Sequence, residues 1–288
     1  MGEMRMRAVA VLTTLAACDL VFKVNVPAAG DGGGGGDKGQ PMDVIDMGGV
    51  PDFDGDTIPD ATDNCPLDRN GPNDLDNQAD FDGDGVGDDC DPDKDHAREH
   101  LAVFDPLNVE SASWGFAGTW SVAPGGGFVQ SDESGFGLAL FQTTFKNPFV
   151  EIQLRDIGGA DTGVAHHAGA FAITLGGSAN PSDGVACVVT LDRGQGDELL
   201  VFRRVNGGDS PTSVAVGGSG NIELRFSSVL FDHLVPANPL GPECTMIRPD
   251  ATGMRGFGLQ QPVTAQIGLW TDHATATFLG VMIVELDP

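Results

Sequence analysis

From Leu101 to Pro288, short apolar runs alternate with turn clusters. In Phe149-Val150-Glu151-Ile152-Gln153-Leu154-Arg155, hydrophobic and polar side chains fall on opposite sides of a half-buried strand. Comparable runs at 118–122, 128–130, 138–145, 169–175, 185–191, 198–205, 213–216, 221–226, 244–248, 264–270 and 274–285 predict further strands. Gly-Gly or Asn-Gly pairs at 158, 176, 206 and 217 provide tight turns between several of them. The long apolar periodicity of helices is missing. Region 101–288 therefore predicts a mainly β fold, a two-sheet antiparallel β-sandwich.

Two earlier stretches break that pattern. One is an apolar run from Ala8 to Ala17 behind Arg5 and Arg7. The other, Asp52 to Asp93, has almost nothing to bury: carboxylates recur at every second position, interrupted by Gly, Pro and two cysteines. Packed Asp side chains repel one another, so a compact form needs a counter-charge among them. Oxygen ligands in this number suit a hard divalent cation, and Ca²⁺ is the natural candidate.

The spacing sharpens that expectation. In a loop of the D-x-D-x-D-G type, carboxylates at positions 1, 3 and 5 wrap one side of the ion, a carbonyl at 7 continues, and carboxylates at 9 and 12 close it. Asp52, Asp54, Asp56, Asp60 and Asp63 fit one such frame, with Ile58 giving the carbonyl. Asp80, Asp82, Asp84, Asp88 and Asp91 fit a second, with Val86 at position 7 and Gly85 at the sharp turn. Ile58 and Val86 are also the apolar side chains placed to supply a small core. Gly, Pro and Asp dominate both flanks and each closing ligand is Asp, so these are not EF-hands. A solvated acidic linker would not repeat one twelve-position frame with a Cys near each closing Asp.

The segments Asp52 to Pro66 and Asp80 to Asp91 resemble the thrombospondin type 3 repeat, with its D-x-D-x-D-G loops and D-N-C-P and D-x-C-D endings. The resemblance implies Ca²⁺ on the Asp side chains and a Cys65 to Cys90 disulfide. Two departures stand out. Thr57 replaces the turn Gly of the first loop, and the connection from Pro66 to Ala79 is long, with extra Asp74 and Asp76. The first site is then either weaker or completed from that insert.

The leader is too short to span a bilayer and has the form of a secretory signal. Its end, Leu15-Ala16-Ala17-Cys18, resembles the lipobox of bacterial lipoproteins, which implies cleavage before Cys18 and lipidation of its sulfur. Several acyl chains on one residue make a stable anchor. The protein is accordingly expected to be exported and tied to the bacterial cell envelope, at the outer membrane or cell surface, with the choice of membrane left open. After the leader, 1–18, come a Gly-rich tether, 19–50, the repeats, 51–95, and the sandwich, 101–288. The Gly run at 31–37 lacks the preceding strand and following helix of a phosphate-binding loop.

Charge narrows the partners. The chain of 288 residues carries a net charge of -27, concentrated between Asp31 and Glu99, where Lys38, Arg69, Lys94 and Arg98 are the only basic residues. Nucleic acid is excluded as a partner, because phosphate contacts need Lys and Arg. Of the 5 cysteines, Cys18 belongs to the leader and Cys65 and Cys90 to the repeats, leaving Cys187 and Cys244 as a candidate second pair. Disulfides agree with an oxidising compartment.

For the sandwich, the opening Gly118-Thr119-Trp120-Ser121-Val122 and the closing runs Gln266 to Thr271 and Ala276 to Val284 resemble the first and last strands of laminin-G-like and concanavalin-A-like jelly rolls. That resemblance implies a binding domain for glycans or proteins, a structural domain, or in some branches a glycosidase. The E-x-D-x-E frame of the glucanase branch is absent: Glu151, Asp156, Asp197, Glu198, Glu223, Glu243 and Glu285 give no same-face pair. Ser227 and Ser228 precede Asp232-His233 without a G-x-S-x-G elbow, and the adjacent His166 and His167 would face opposite sides of a strand. The expected protein is not an enzyme. Glycan recognition favours exposed aromatic faces; Trp120 and Trp270 lie in apolar strands, which leaves Trp114 as the candidate ligand contact. The sequence therefore predicts a Ca²⁺-binding, lipid-anchored surface protein presenting a sandwich for adhesion or ligand binding. A carbohydrate-active enzyme and a purely structural envelope protein are the alternatives.

Overall fold

The computed structural model describes residues 44–45, 50–75, 77–159, 166–174, 184–192, 196–205, 208–215, 222–227, 243–248, 251–256 and 264–286. The signal segment, Cys18, the Gly run at 31–37 and Asp76 lie outside the described residues. Among the described residues there is no helix.

Strands β1 (Val44–Ile45) and β2 (Pro51–Asp52) pair just ahead of the first Asp loop. Next come β3 (Glu99–Asp105), β4 (Trp114–Ala117), β5 (Trp120–Val122), β6 (Phe128–Gln130), β7 (Phe136–Lys146) and β8 (Phe149–Gly158). They are followed by β9 (His166–Thr174), β10 (Gly184–Asp192), β11 (Gly196–Val205), β12 (Gly208–Ala215) and β13 (Ile222–Ser227). The chain ends with β14 (Glu243–Arg248), β15 (Ala251–Gly256), β16 (Thr264–Asp272) and β17 (Thr275–Leu286). One sheet has the order β12-β11-β10-β9-β16-β7-β4 and the other β15-β14-β13-β8-β17-β6-β5, with β3 also paired to β17. Every pairing is antiparallel, for example Ala170 opposite Leu269 and Ile152 opposite Val281. Non-consecutive strands lie side by side in both sheets, the hallmark of a jelly-roll sandwich.

The inner faces make the main core. Val150, Ile152 and Leu154 of β8 and Phe278, Val281 and Ile283 of β17 meet Ala168, Ala170, Leu269 and Phe141 of the facing sheet. The Cys187–Cys244 disulfide joins β10 to β14, and therefore one sheet to the other, with Cα atoms 5.6 Å apart.

The alternation expected at 149–155 holds on the inner side and fails on the outer. Phe149 is buried, Glu151 is 0% exposed, and Gln153 Nε2 donates to the Leu67 carbonyl at 2.9 Å. The Asp-rich segment packs on the outer side of β3, β8 and β17. Phe53, Leu67, Val86 and the Cys65–Cys90 disulfide form a second hydrophobic cluster with Phe149, Leu279, Met282 and Val284. Gly280 in β17 permits that approach: a Cβ there would lie 2.9 Å from both Leu67 and Phe53. Burial of each such side chain stabilises by about 1.5–3 kcal/mol. Phe53 also meets Phe104 of β3 edge to face at 5.6 Å. Residues Pro41–Pro288 accordingly form one compact unit.

Candidate metal centre

The segment 52–93 has little regular structure to hold it, so its shape comes from carboxylates bonded to the main chain around them. In the first loop Asp52 accepts from the N–H groups of Gly55 at 2.9 Å and Thr57 at 3.0 Å. Asp54 accepts from Asp56 at 3.0 Å, and Asp56 from Ile58 at 2.7 Å. Asp60 reaches back to the Phe53 N–H at 2.7 Å, and Asp63 caps the Cys65 N–H at 2.9 Å.

The second loop repeats that wiring position by position. Asp80 accepts from Gly83 at 2.8 Å and Gly85 at 3.0 Å, Asp82 from Asp84 at 3.2 Å, and Asp84 from Val86 at 2.9 Å. Asp88 takes the Phe81 N–H at 2.9 Å and Asp91 the Asp93 N–H at 2.6 Å. These bonds orient the acidic side chains inward. The carboxylate oxygens of Asp52, Asp54 and Asp56 come within 4.8 Å of one another, as do those of Asp80, Asp82 and Asp84. The disulfide between Cys65 and Cys90, Cα atoms 5.6 Å apart, ties the end of one loop to the end of the other.

Hydrogen bonding satisfies only part of each carboxylate. The Oδ2 atoms of Asp54 and Asp63 in the first loop, and of Asp82 and Asp91 in the second, are buried without a hydrogen-bond partner. Such an arrangement is costly unless a cation sits among the oxygens. The electrostatics agree. Burial, reinforced by the charges of Asp56, Asp63 and Asp52, pushes the Asp54 carboxyl up to about 8. Burial, with Asp84, Asp82 and Asp93 adding, pushes Asp91 to about 7. Asp63 and Asp82 are raised as well, first by burial and then by neighbouring carboxylates. The two loops thus present clusters that could hold a metal ion, through oxygen donors alone.

The long insert also supplies neutral partners to the first loop. Gln78 Nε2 donates to Asp63 Oδ1 at 2.8 Å while its Oε1 accepts the Asn64 N–H at 3.1 Å. The Asn70 N–H donates to Asp56 Oδ2 at 3.1 Å. Asp74 Oδ2 is buried without a hydrogen bond, and Asp76 is outside the described residues. Of the position-7 residues, Val86 is fully buried in the second cluster and Ile58 is half-buried.

Sequence reasoning did not reach Glu99. It lies eight residues beyond the closing Asp91, so no frame includes it, yet its N–H donates to Asp84 Oδ2 at 2.8 Å. Its side chain is 0% exposed, and burial followed by contact with Asp84 pushes its carboxyl up to about 8.

The aromatic expectation needs correcting. Trp114 is 5% exposed and packs edge to face on Phe128 and Phe141 in the main core. Its Nε1 donates to Asp105 Oδ2 at 2.8 Å, so the polar end of the indole is satisfied inside and the residue offers no ligand surface. Trp270 instead sits on the outer face of the seven-stranded sheet, because its neighbour Leu269 points into the core. It stacks on His167 with ring centroids 6.1 Å apart and 8° between planes, and meets Phe136 at 6.2 Å. Phe136 is 53% exposed, and His167 Nδ1 is 2.7 Å from Thr190 Oγ1. Burial holds the His167 imidazole below its usual pKa.

No protein-family model matches the chain, and no curated protein does. Solved structures do align with it. The carbohydrate-binding module CBM66 from Bacillus subtilis is 16% identical over 58% of this chain and 91% of its own, with a TM-score of 0.38. The Bacillus licheniformis β-glucanase is 10% identical over 63% and 96%, with a TM-score of 0.43. The carbohydrate recognition domain of Emp46p, in a metal-free form, is 15% identical over 62% and 93%, also at 0.43. The assignment of this chain to the antiparallel β-sandwich class stands on its own strand registers and shared core.

Proposed function

We propose that this chain is a calcium-binding protein of the bacterial cell envelope, lipid-anchored through Cys18, whose Asp-rich segment is held by Ca²⁺ against a ligand-binding β-sandwich. The observation that carries the reading is the repeated wiring of the two loops, which leaves matching carboxylate oxygens buried and without donors. Asp52, Asp54, Asp56, Asp60 and Asp63 with the Ile58 carbonyl would hold one ion. Asp80, Asp82, Asp84, Asp88 and Asp91 with the Val86 carbonyl would hold the other. A donor set of oxygens without thiolate or imidazole suits Ca²⁺ better than Zn²⁺ or Cu²⁺. When bound, the ion supplies the positive charge that lets these carboxylates ionise while buried.

A calcium titration of the full chain, followed by circular dichroism and limited proteolysis, tests this reading. Saturating calcium should raise the unfolding temperature and slow cleavage between 52 and 93, since a ligand that binds only the folded state stabilises it. Identical proteolysis and circular dichroism in calcium and in chelator would remove the proposal. Mass spectrometry of the mature protein checks the anchor, and an unmodified Cys18 would sink that part.

A second, compatible reading concerns the sandwich: we infer a glycan-binding role, not a catalytic one. Its support is the Phe136, Trp270 and His167 strip, aromatic rings beside polar groups, with Phe136 53% exposed. A glycan array should report binding that Trp270→Ala abolishes. Binding indifferent to Trp270→Ala, or a blank array, would move the role to protein adhesion or to structure alone.

A further inference from the structure

Resting on the calcium reading, we propose that Glu99 is a ligand of the second ion, so that this ion bridges the Asp-rich segment to the first strand of the sandwich. Four observations converge. In both loops the second oxygen of the position-5 Asp takes an N–H from a distant part of the chain: Asn70 for Asp56, and Glu99 for Asp84. In the first loop the residue so placed is neutral and its side chain is occupied, since Asn70 Nδ2 donates to Asn64 Oδ1 at 2.7 Å and its Oδ1 accepts from Gln78. In the second loop it is a carboxylate with its side chain 0% exposed, and its Oε1 has no hydrogen-bond partner. That carboxyl meets the carboxyl of Asp84 and feels the charge of Asp91, whose Oδ2 is equally bare.

The alternative role for Glu99 is an ion pair. Arg98 Nε stands 3.7 Å from Glu99 Oε1, an ion pair without a hydrogen bond, and the same guanidinium bonds Asp93 more closely. Glu99 Oε2 accepts the Arg98 main-chain N–H at 3.1 Å. Two carboxylates in contact are stable together when a cation or a proton lies between them, and a hard cation already coordinated by Asp84 is the economical solution. Glu99 opens β3, which pairs along β17, so an ion held by Asp84 and Glu99 fastens the loop to a core strand. The two sites would then differ in kind: the first closed by its own insert, the second closed by the sandwich.

Isothermal calorimetry of calcium binding to the full chain distinguishes these roles. Wild type should show two classes of site. Glu99→Gln should weaken one class on the order of tenfold or more, as loss of a charged oxygen ligand does, leaving the other unchanged. It should also shrink the calcium-induced rise in unfolding temperature. Arg98→Ala keeps the carboxylate and should retain both affinities. If Glu99→Gln binds calcium like wild type, or if Arg98→Ala loses affinity as far as Glu99→Gln does, the assignment is wrong and Glu99 is an ion-pair partner. Should Glu99→Gln fail to fold, Glu99→Asp, with a shortened carboxylate, must show the same one-site weakening, and wild-type affinities from it would overturn the proposal. Absence of calcium binding by wild type would overturn the calcium reading itself, a result distinct from either.

Discussion

The two Asp loops have the same internal wiring and opposite relations to the rest of the molecule. Position 2 is Phe53 in the first loop, 9% exposed against the sheet, and Phe81 in the second, 78% exposed. Position 7 reverses this, with Ile58 half-buried and Val86 fully buried. The carboxylates at positions 1 and 5 are buried in the first loop, Asp52 and Asp56 at 1% each, and only half-buried in the second. The carboxylate positions therefore set the shape of each loop, while the residues between them decide how it is attached. The same frame serves as a docking piece in one place and as a more exposed loop in the other.

The largest expected effect follows from that asymmetry. Phe53→Ala should destabilise the protein by about 3–5 kcal/mol, because it empties a site packed on Phe104 and Gly280. Phe81→Ala, at the equivalent position, should fall within about 0.5 kcal/mol of wild type. Urea unfolding in saturating calcium measures both. Equal costs would mean that the loops are attached alike and would break the comparison.

Protons give an intermediate effect, and they should act on both loops. Without a cation, burial holds Asp54 near 8 and Asp91 near 7, both above the value of 3.8 for a free Asp. A folded-state pKa raised in this way means that the ion-free fold binds more protons than the unfolded chain. Its stability should accordingly fall as pH rises from about 4 to about 8. On the proposed reading, calcium must displace those protons, so affinity should climb over the same window, by about tenfold per pH unit for each proton released. Calorimetry at pH 7 in two buffers of different ionisation enthalpy would count the protons. Zero release, with a pH-independent affinity, would show that the carboxylates are already ionised.

Much of this was legible in the sequence, for reasons that particular residues make clear. The period-2 alternation at 149–155 marks β8, and Asp spacing marks both loops, because each pattern is local. What lies outside a local pattern was lost. Gln153 is polar in a strand that alternates, which suggests solvent, but its partner is the carbonyl of Leu67, 86 residues away in the chain. Trp114, set among Ser and Gly, has the neighbours of an exposed loop, yet Asp105 receives its indole N–H and the ring turns inward. Glu99 follows both frames and belongs to neither, and only the fold brings it to Asp84. The leader, Cys18 and the anchor remain readings of the sequence and of the resemblance it carries.

The smallest expected effect is also the most local test of the comparison. Thr57 and Gly85 occupy position 6 of their loops, with φ of 83° and 98°. Both donate their N–H to the position-1 carboxylate at 3.0 Å, so the left-handed conformation is required by the bond that shapes the loop. Glycine adopts it freely, whereas a β-branched residue there is strained by roughly 1–3 kcal/mol. Thr57→Gly removes that strain but adds freedom to the unfolded chain, worth roughly 0.5–1 kcal/mol in the opposite direction. The net expectation is a gain of about 1 kcal/mol and several-fold tighter calcium binding at the proposed first site, read by urea unfolding and by calorimetry. The reciprocal Gly85→Thr should weaken the second site by a similar factor. If Thr57→Gly loses stability instead, the Thr side chain makes a contribution that the conformation of the loop does not account for, and the two loops are less alike than their hydrogen bonds indicate.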